Sequence, residues 1–149
     1  MTNEMRENTV LENKLIKEKY YTVANKVNAP LLPPLIKIEV PFLNFASLQN
    51  AMTLLAKSTE NLNGVINKKL YKAEQVLLTN DGLPRRGWYK HVMYAPGLYT
   101  GYGVKTLPGV REAIEQRNWK EAQEQIDIAA VTINNLSAYF DAAAEVASK

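Results

Sequence analysis

The sequence predicts an all-α protein, an up-and-down four-helix bundle with one long irregular aromatic and Gly-rich loop segment. Apolar residues recur at three- and four-residue steps along most of the chain, which is the period of an amphipathic helix. Gly and Pro number only seven each in 149 residues, so a turn-rich β-sandwich is not indicated. No stretch predicts a β region. With 46% apolar side chains, this length suits one core and a single helical domain over residues 1–149.

The first helix is predicted over residues 2–28, where an apolar stripe runs between charged residues. Its members are Val10, Leu11, Leu15, Ile16, Tyr20, Val23 and Val27. Residues 29–42 follow with four prolines, whose fixed φ angles and missing N–H donors exclude a helix. This stretch is therefore predicted to be an extended crossing.

The next helix is predicted to begin near Asn44, whose side chain can cap the free N–H groups of a first turn. Gly64 could bend or divide this helix, and helical periodicity continues to about Leu78. The turn-forming residues 80–82 then end it. Its apolar stripe consists of Leu48, Met52, Leu55, Leu62, Ile66, Leu70, Ala73, Val76 and Leu77.

Residues 82–107 are predicted to be irregular, because Trp and Tyr alternate there with Gly and Pro. Long loops inside compact domains are usually functional or are ordered by packing on a neighbour. A short helix is predicted after Pro108, which suits a first turn. Asn118 and Glu121 resemble a capping box that begins the last helix, whose apolar face continues for about seven turns. That face consists of Trp119, Ala122, Ile126, Ala129, Ile133, Leu136, Phe140 and Ala143.

The residues that catalysis would need are scarce. His91 is the single histidine and the chain has no cysteine, which leaves little from which to build a zinc site with three protein ligands. His91 lies among aromatic residues with no acidic partner at obvious spacing, so we expect a packed, hydrogen-bonded imidazole rather than a general base. The chain is therefore not expected to be an enzyme by itself, and no catalytic, cofactor-binding or metal-binding residue is predicted. A solvated, charged exterior is predicted for Glu112, Glu115, Glu121, Glu124 and Asp127.

The charge distribution argues against nucleic acid as a partner. The net charge of +3 comes from 18 basic and 15 acidic residues that form no concentrated positive face. No apolar run approaches the roughly 20 residues that span a bilayer, and the N-terminus lacks the apolar segment of a signal peptide. We therefore expect no nucleic-acid partner and no membrane contact by this segment.

Two consecutive stretches form a specific pattern. They are GLPRRGWYKHVMYAP at residues 82–96 and GLYTGYGVKTLPGVREAIEQRNWKEAQEQI at residues 97–126, with a weaker continuation in VPFLNFASLQNA at residues 40–51. The pattern resembles the transferrin receptor-like dimerisation domain at the C-terminus of glutamate carboxypeptidase-like zinc peptidases.

The resemblance implies that the chain is a fragment of a larger peptidase-like protein. In this family the helical domain follows a peptidase domain that holds two zinc ions, so zinc is expected in the parent and no cofactor in this chain. A homodimer and the peptidase domain of the same parent are the implied partners. The parent is expected to be extracytoplasmic, either periplasmic or secreted. The alternative is a free-standing helical protein that binds a ligand or peptide through residues 94–107.

The resemblance also implies a site. In glutamate carboxypeptidases the loop after Tyr-Ala-Pro reaches the peptidase domain, where an adjacent lysine and tyrosine help to hold the carboxylates of a C-terminal glutamate. Tyr99, Thr100, Gly101 and Tyr102 are therefore the candidate substrate-pocket loop of the parent. Tyr102 takes the place of the tyrosine and Gly101 that of the lysine, which leaves an aminopeptidase or another dipeptide-cleaving parent equally open. For Tyr102, packing under its own loop is the alternative to lining a pocket.

Overall fold

The described residues of the chain group into two compact units. The structure, a computed structural model, describes residues 1–23, 33–60, 62 and 72–147, with the side chains of residues 22, 23 and 147 excepted. The units are Met1–Phe42 and Leu43–Lys149. Most described residues in each unit are helical, so the predicted predominance of helix is confirmed. The single domain over residues 1–149 stays a prediction.

The first unit begins with two helices where one was predicted. Helix α1 spans Thr2–Lys17 and helix α2 spans Tyr20–Val23. Lys19 between them has a φ of +56°, a left-handed conformation that a continuous helix cannot contain. Its backbone N–H donates to the carbonyl of Ile16 at 3.1 Å, which closes the last turn of α1. The prediction of one unbroken helix is therefore wrong at this point, and residues 24–28 lie outside the described part.

Residues 33–42 have neither helical nor strand structure, so the predicted absence of helix is confirmed there, and residues 29–32 lie outside the described part. Two polar side chains of α1 bind the backbone of residues 33–42. The Asn13 side-chain amide donates to the Lys37 carbonyl at 2.8 Å, and its oxygen accepts the Lys37 N–H at 2.9 Å. Arg6 donates to the carbonyls of Val40 and Pro41 at 3.0 and 2.9 Å. These bonds satisfy backbone groups that would otherwise need a neighbouring strand.

The second unit contains the remaining elements, α3 at Ala46–Glu60, α4 at Ala73–Val76, α5 at Pro108–Glu115 and α6 at Trp119–Ala147. The predicted cap of α3 is confirmed, since the Asn44 side-chain oxygen accepts the N–H of Ala46 at 3.0 Å. The predicted residues Gly64, Ile66 and Leu70 lie outside the described part of the chain. Helix α4 ends at Val76, two residues before the predicted end at Leu78.

Helix α6 forms the centre of the second unit, and both α3 and α5 pack against it. The predicted apolar face is confirmed at the buried residues Ala122, Ile126, Ala129, Ile133 and Ala143, whereas Trp119, Leu136 and Phe140 are half-buried. The alternation of Ala and Ile along this face lets neighbouring helices approach closely. The described residues do not form a clear up-and-down four-helix bundle, because α1 and α2 belong to the other compact unit and α4 and α5 have only four and eight residues.

The prediction that the chain has no β region is wrong. Strand β1 at Tyr94–Pro96 pairs antiparallel with strand β2 at Val104–Thr106, and Ala95 lies opposite Lys105. Each strand has only three residues, which is too short for an alternating pattern to be visible in the sequence. Pro96 stands at the end of β1, where its missing N–H disrupts no central ladder. In the described part of the chain, no helix has the length and apolar character to span a bilayer.

Candidate functional site: the β1–β2 loop and its buried support

Residues 97–103 connect β1 to β2 and form a closed loop. The N–H of Gly97 donates to the carbonyl of Gly103 at 2.9 Å, which continues the hairpin by one pair. Gly101 has a φ of +61°, a conformation that residues with a side chain rarely adopt. The loop is therefore a tight turn defined by backbone bonds and one left-handed glycine.

The four predicted site residues lie together at the tip of this loop, and all four are exposed. Tyr99 is 75% exposed and Tyr102 is fully exposed. The alternative in which Tyr102 packs under its own loop is therefore wrong. The lining of a peptidase pocket by Tyr99, Thr100, Gly101 and Tyr102 stays a prediction.

Thr100 differs from the two tyrosines because its hydroxyl lies directly over Gly97. A Cβ atom added to Gly97 would stand 2.0 Å from the Thr100 Oγ1 and 3.1 Å from the Lys105 Cε. A side chain at residue 97 would therefore require the Thr100 hydroxyl to move, which shows that the loop folds back on its own start. The Thr100 side chain thus lies against the start of the loop, whereas the rings of Tyr99 and Tyr102 are exposed.

A buried ion pair supports the base of the loop. The Arg86 Nη2 donates to the Glu112 Oε1 at 2.7 Å, and the two side chains are 6% and 2% exposed. The same carboxylate oxygen accepts the N–H of Leu98 at 2.8 Å, and the Arg86 Nη1 donates to the carbonyl of Pro96. Removing charges from water is costly, and these additional hydrogen bonds are what offsets that cost.

The ion pair binds the chain on both sides of Gly97. Arg86 holds Pro96, the last residue of β1, while Glu112 of α5 holds Leu98, the second residue of the loop. Arg86 itself comes from the turn region at residues 83–89, so three segments distant in sequence meet at one pair of charges. The loop therefore begins at residues that the ion pair holds in place.

Arg85, the neighbour of Arg86, has a different partner. Its guanidinium donates two hydrogen bonds to the Glu121 carboxylate, at 2.9 and 2.7 Å. This bond raises the pKa of Arg85 above its usual value. The positive φ of Arg85, +63°, directs the two consecutive arginines to different helices, α6 and α5.

Glu121 also belongs to the predicted capping box of α6. The Asn118 side-chain oxygen accepts the Glu121 N–H at 3.3 Å, and the Asn118 side-chain amide donates to the Glu121 carboxylate at 3.0 Å. The first bond confirms the predicted cap. In the second, the Glu121 carboxylate bonds to a side chain instead of the backbone N–H of a standard box. The negative charge lies at the helix N-terminus, where the helix dipole favours it.

His91 is hydrogen-bonded, as predicted, and it has an acidic neighbour that the sequence did not reveal. Its Nδ1 accepts the N–H groups of Met93 and Tyr94 at 3.2 and 3.3 Å, so Nε2 carries the proton of the neutral ring. That Nε2 lies 3.5 Å from the Glu74 Oε2. The Tyr94 hydroxyl donates to the same oxygen at 2.9 Å, and this bond raises the pKa of Tyr94 above 10.0.

Two residues of the site, Arg86 and Glu112, were not predicted. Glu112 was assigned to the solvated exterior together with Glu115, Glu121, Glu124 and Asp127, and for Glu112 that assignment is wrong. In the sequence, nothing distinguishes Arg86 from its neighbour Arg85. No sequence signal was available, because Val110 and Ile114 stand two residues from Glu112 and therefore point to other sides of α5.

Zinc is the metal that the resemblance implies for the parent protein. In the described residues, no group of three or more His, Asp or Glu side chains is placed to hold a metal ion. His91 and Glu74 are neighbours, but two donors do not make the three-ligand set of a catalytic zinc. The described residues of this chain therefore do not fit the metal.

The profile of the transferrin receptor-like dimerisation domain family matches residues 44–141, nearly the whole second unit. The chain is 35% identical over 126 residues to a probable glutamate carboxypeptidase of Arthroderma benhamiae, which covers 77% of this chain and 17% of that protein. It is 41% identical over 68 residues to a probable glutamate carboxypeptidase of Arabidopsis thaliana, covering 41% of this chain and 10% of the relative.

A third relative carries the word inactive in its name. It is an inactive zinc metalloprotease of Schizosaccharomyces pombe, 30% identical over 112 residues, with 74% of this chain and 14% of that protein covered. The chain spans at most 17% of the length of these three relatives. The family match includes α3, α4, the hairpin with its loop, α5 and most of α6. This chain therefore belongs to the transferrin receptor-like dimerisation domain family.

Proposed function

We propose that this chain is the non-catalytic dimerisation domain of a glutamate carboxypeptidase-like zinc peptidase. It holds two copies of the parent together and contributes the loop at residues 97–103 to the neighbouring peptidase pocket. The match of the dimerisation family over residues 44–141 carries the first part of the proposal. The relatives named as carboxypeptidases and metalloproteases support the zinc-dependent parent.

The construction of the loop supports the second part. Two exposed tyrosines extend from a base that a buried ion pair and two backbone bonds hold in place. A loop ordered before binding loses little conformational entropy when it binds, which favours affinity. Tyr99 and Tyr102 are therefore suited to contact a neighbouring surface or substrate.

The chemistry of the loop limits how it can recognise a substrate. Residues 97–103 contain no charged side chain, so they offer ring faces, hydroxyls and backbone groups. Gly101 takes the place of the lysine that, in glutamate carboxypeptidases, helps to hold the carboxylates of a C-terminal glutamate. Glutamate-directed cleavage therefore has no charged support from this loop, and an aminopeptidase or another dipeptide-cleaving parent remains an equal proposal.

Dimerisation is tested by the mass of the chain in solution. Size-exclusion chromatography with light scattering should give twice the 16.8 kDa of one chain at micromolar concentration. A clean monomer over the whole accessible concentration range would contradict the proposal. A monomer that binds a small molecule or peptide tightly would favour the free-standing ligand-binding alternative.

The pocket loop is tested in the full-length parent with its peptidase domain. Tyr102→Ala should raise KM for a peptide substrate, because a contact to bound substrate is removed. Trp88→Ala is the matched control, since Trp88 is an exposed aromatic residue, 78% exposed, that lies outside the loop. Equal KM values for wild type and Tyr102→Ala would remove the loop from the pocket.

The extracytoplasmic location of the parent stays a prediction.

A further inference from the structure

Helix α6 has a second face, opposite its buried one, that carries an exposed and uncharged stripe. We call it the α6 stripe and define it by Ile128, Val131, Asn135, Ala138 and Ala142, all of them exposed. Ile128 is 39% exposed and Val131 is 58% exposed. The steps between successive members alternate between three and four residues. This is the spacing with which helices pair in coiled coils.

A groove lies along one side of the α6 stripe. It has a volume of about 310 Å³, and four aliphatic side chains line it together with four polar ones, Thr79, Asp127, Thr132 and Asn135. Val76 and Leu78 line one side, and Ile128 and Val131 line the other. Leu78 is itself 48% exposed. Stripe and groove together form one surface on which a ridge of side chains stands beside a recess with apolar and polar walls.

We infer that a second copy of this chain packs its α6 stripe against this one across a twofold axis. The inference rests on the proposed dimerisation and specifies the surface that carries it. The family description supplies the identity of the occupant as another copy. A surface that has both a ridge and a recess is suited to a twofold contact, since each copy can place its ridge in the recess of the other.

The charges and the position of Asn135 also favour a second copy. No member of the α6 stripe is charged, so the members of two stripes meet without like-charge repulsion, although the exposed carboxylates of Asp127 and Glu124 lie beside them. Asn135 is the middle member of the stripe. Its amide both donates and accepts, so at a twofold axis the two Asn135 side chains can bond each other and set the register.

The first experiment introduces a charge into the stripe. Val131→Lys should weaken the dimer at least about tenfold in Kd, because two lysines would be buried at the interface without counter-charges. Met52→Lys on α3 is the matched control, since Met52 and Val131 are both 58% exposed. Light scattering over a dilution series measures Kd, and circular dichroism checks that the helices are retained.

The second experiment does not depend on how the charged variant folds. The chain has no cysteine, so a single introduced cysteine is the only thiol that can form a crosslink. Asn135→Cys should form a disulfide-linked dimer with oxidised glutathione as the oxidant, whereas Lys57→Cys, exposed on α3, should remain monomeric on a non-reducing gel.

The outcomes separate the surface from the proposed function. A wild-type dimer that Val131→Lys weakens and Asn135→Cys crosslinks supports the inference. A wild-type dimer that tolerates Val131→Lys, or that crosslinks through Lys57→Cys instead of Asn135→Cys, overturns the α6 stripe and leaves dimerisation standing. A wild-type monomer overturns both.

Discussion

The guanidinium of Arg86 and the carboxylate of Glu112 lie 2.7 Å apart in the interior of the second unit, and fewer than one tenth of either side chain is exposed. Around this pair are the carbonyl of Pro96 and the N–H of Leu98, the two neighbours of Gly97. The ion pair is thus the point at which α5, the turn at residues 83–89 and the β1–β2 hairpin are joined. Its integrity should decide both the stability of the unit and the position of the loop.

Glu112→Gln should destabilise the fold by about 3–5 kcal/mol, because the variant leaves a buried guanidinium without its counter-charge. Urea unfolding followed by circular dichroism measures the free energy of unfolding. Variant and wild type are compared with the same dependence of this free energy on urea concentration. Glu124→Gln is the control, since Glu124 is an exposed carboxylate on α6 and should change stability by less than about 0.5 kcal/mol. Similar losses for the two variants would show that the ion pair does not carry this energy.

Gly82→Ala should be more costly than Gly101→Ala, although both glycines have positive φ, at +69° and +61°. Placing alanine in a left-handed conformation costs about 1–2 kcal/mol at either position. At Gly82 the added Cβ would also stand 2.3 Å from the Gly87 carbonyl oxygen, while at Gly101 it meets nothing within 4 Å. The collision should add about 1–3 kcal/mol, the usual range for overpacking. Equal thermal midpoints for the two variants would contradict the close approach of Gly82 to the Gly87 carbonyl.

Ile126→Ala should destabilise the fold by about 2–5 kcal/mol, because truncating a completely buried side chain of α6 leaves a cavity. Ile126 is 0% exposed, whereas Met52 on α3 is 58% exposed and serves as the control. Met52→Ala should change the free energy of unfolding by less than about 1 kcal/mol. A small effect of Ile126→Ala would place the centre of the core elsewhere.

Tyr94 should ionise above pH 10.0, because its neutral hydroxyl donates to the Glu74 carboxylate. The difference between the tyrosinate absorbance titrations of wild type and Tyr94→Phe isolates this pKa from the other tyrosines. Glu74→Gln should lower it toward the ordinary value. Since the folded pKa is raised, the bond contributes stability below pH 10.0 and loses it as pH rises through the raised pKa. A midpoint unchanged in Glu74→Gln would argue against the bond.

Tyr102→Ala should leave the stability of the chain within about 0.5 kcal/mol of wild type, because the ring is fully exposed and nothing packs on it within the described chain. Thermal unfolding of the two proteins at equal concentration measures the difference. A marked drop in the midpoint would mean that the ring packs against the domain, and would weaken its assignment to a neighbouring pocket.

Most helices could be predicted because their information is local. The apolar steps of α6, the proline that begins α5 and the cap of α3 at Asn44 each depend on residues within a few positions of one another. The same holds for residues 33–42, where the prolines exclude a helix. The position of the candidate loop after Tyr94–Pro96 also followed from a contiguous pattern.

The sequence by itself thus determined where α5 and α6 run, which face of α6 is buried, and that Tyr99 to Tyr102 form one loop. Only the tertiary structure decided that Arg86 rather than Arg85 is buried, that Glu112 is interior, that His91 meets Glu74, and that two three-residue strands pair. The physical reason is distance along the chain. Arg86 and Glu112 are 26 residues apart, and a charge is buried only where the fold brings such a partner to it.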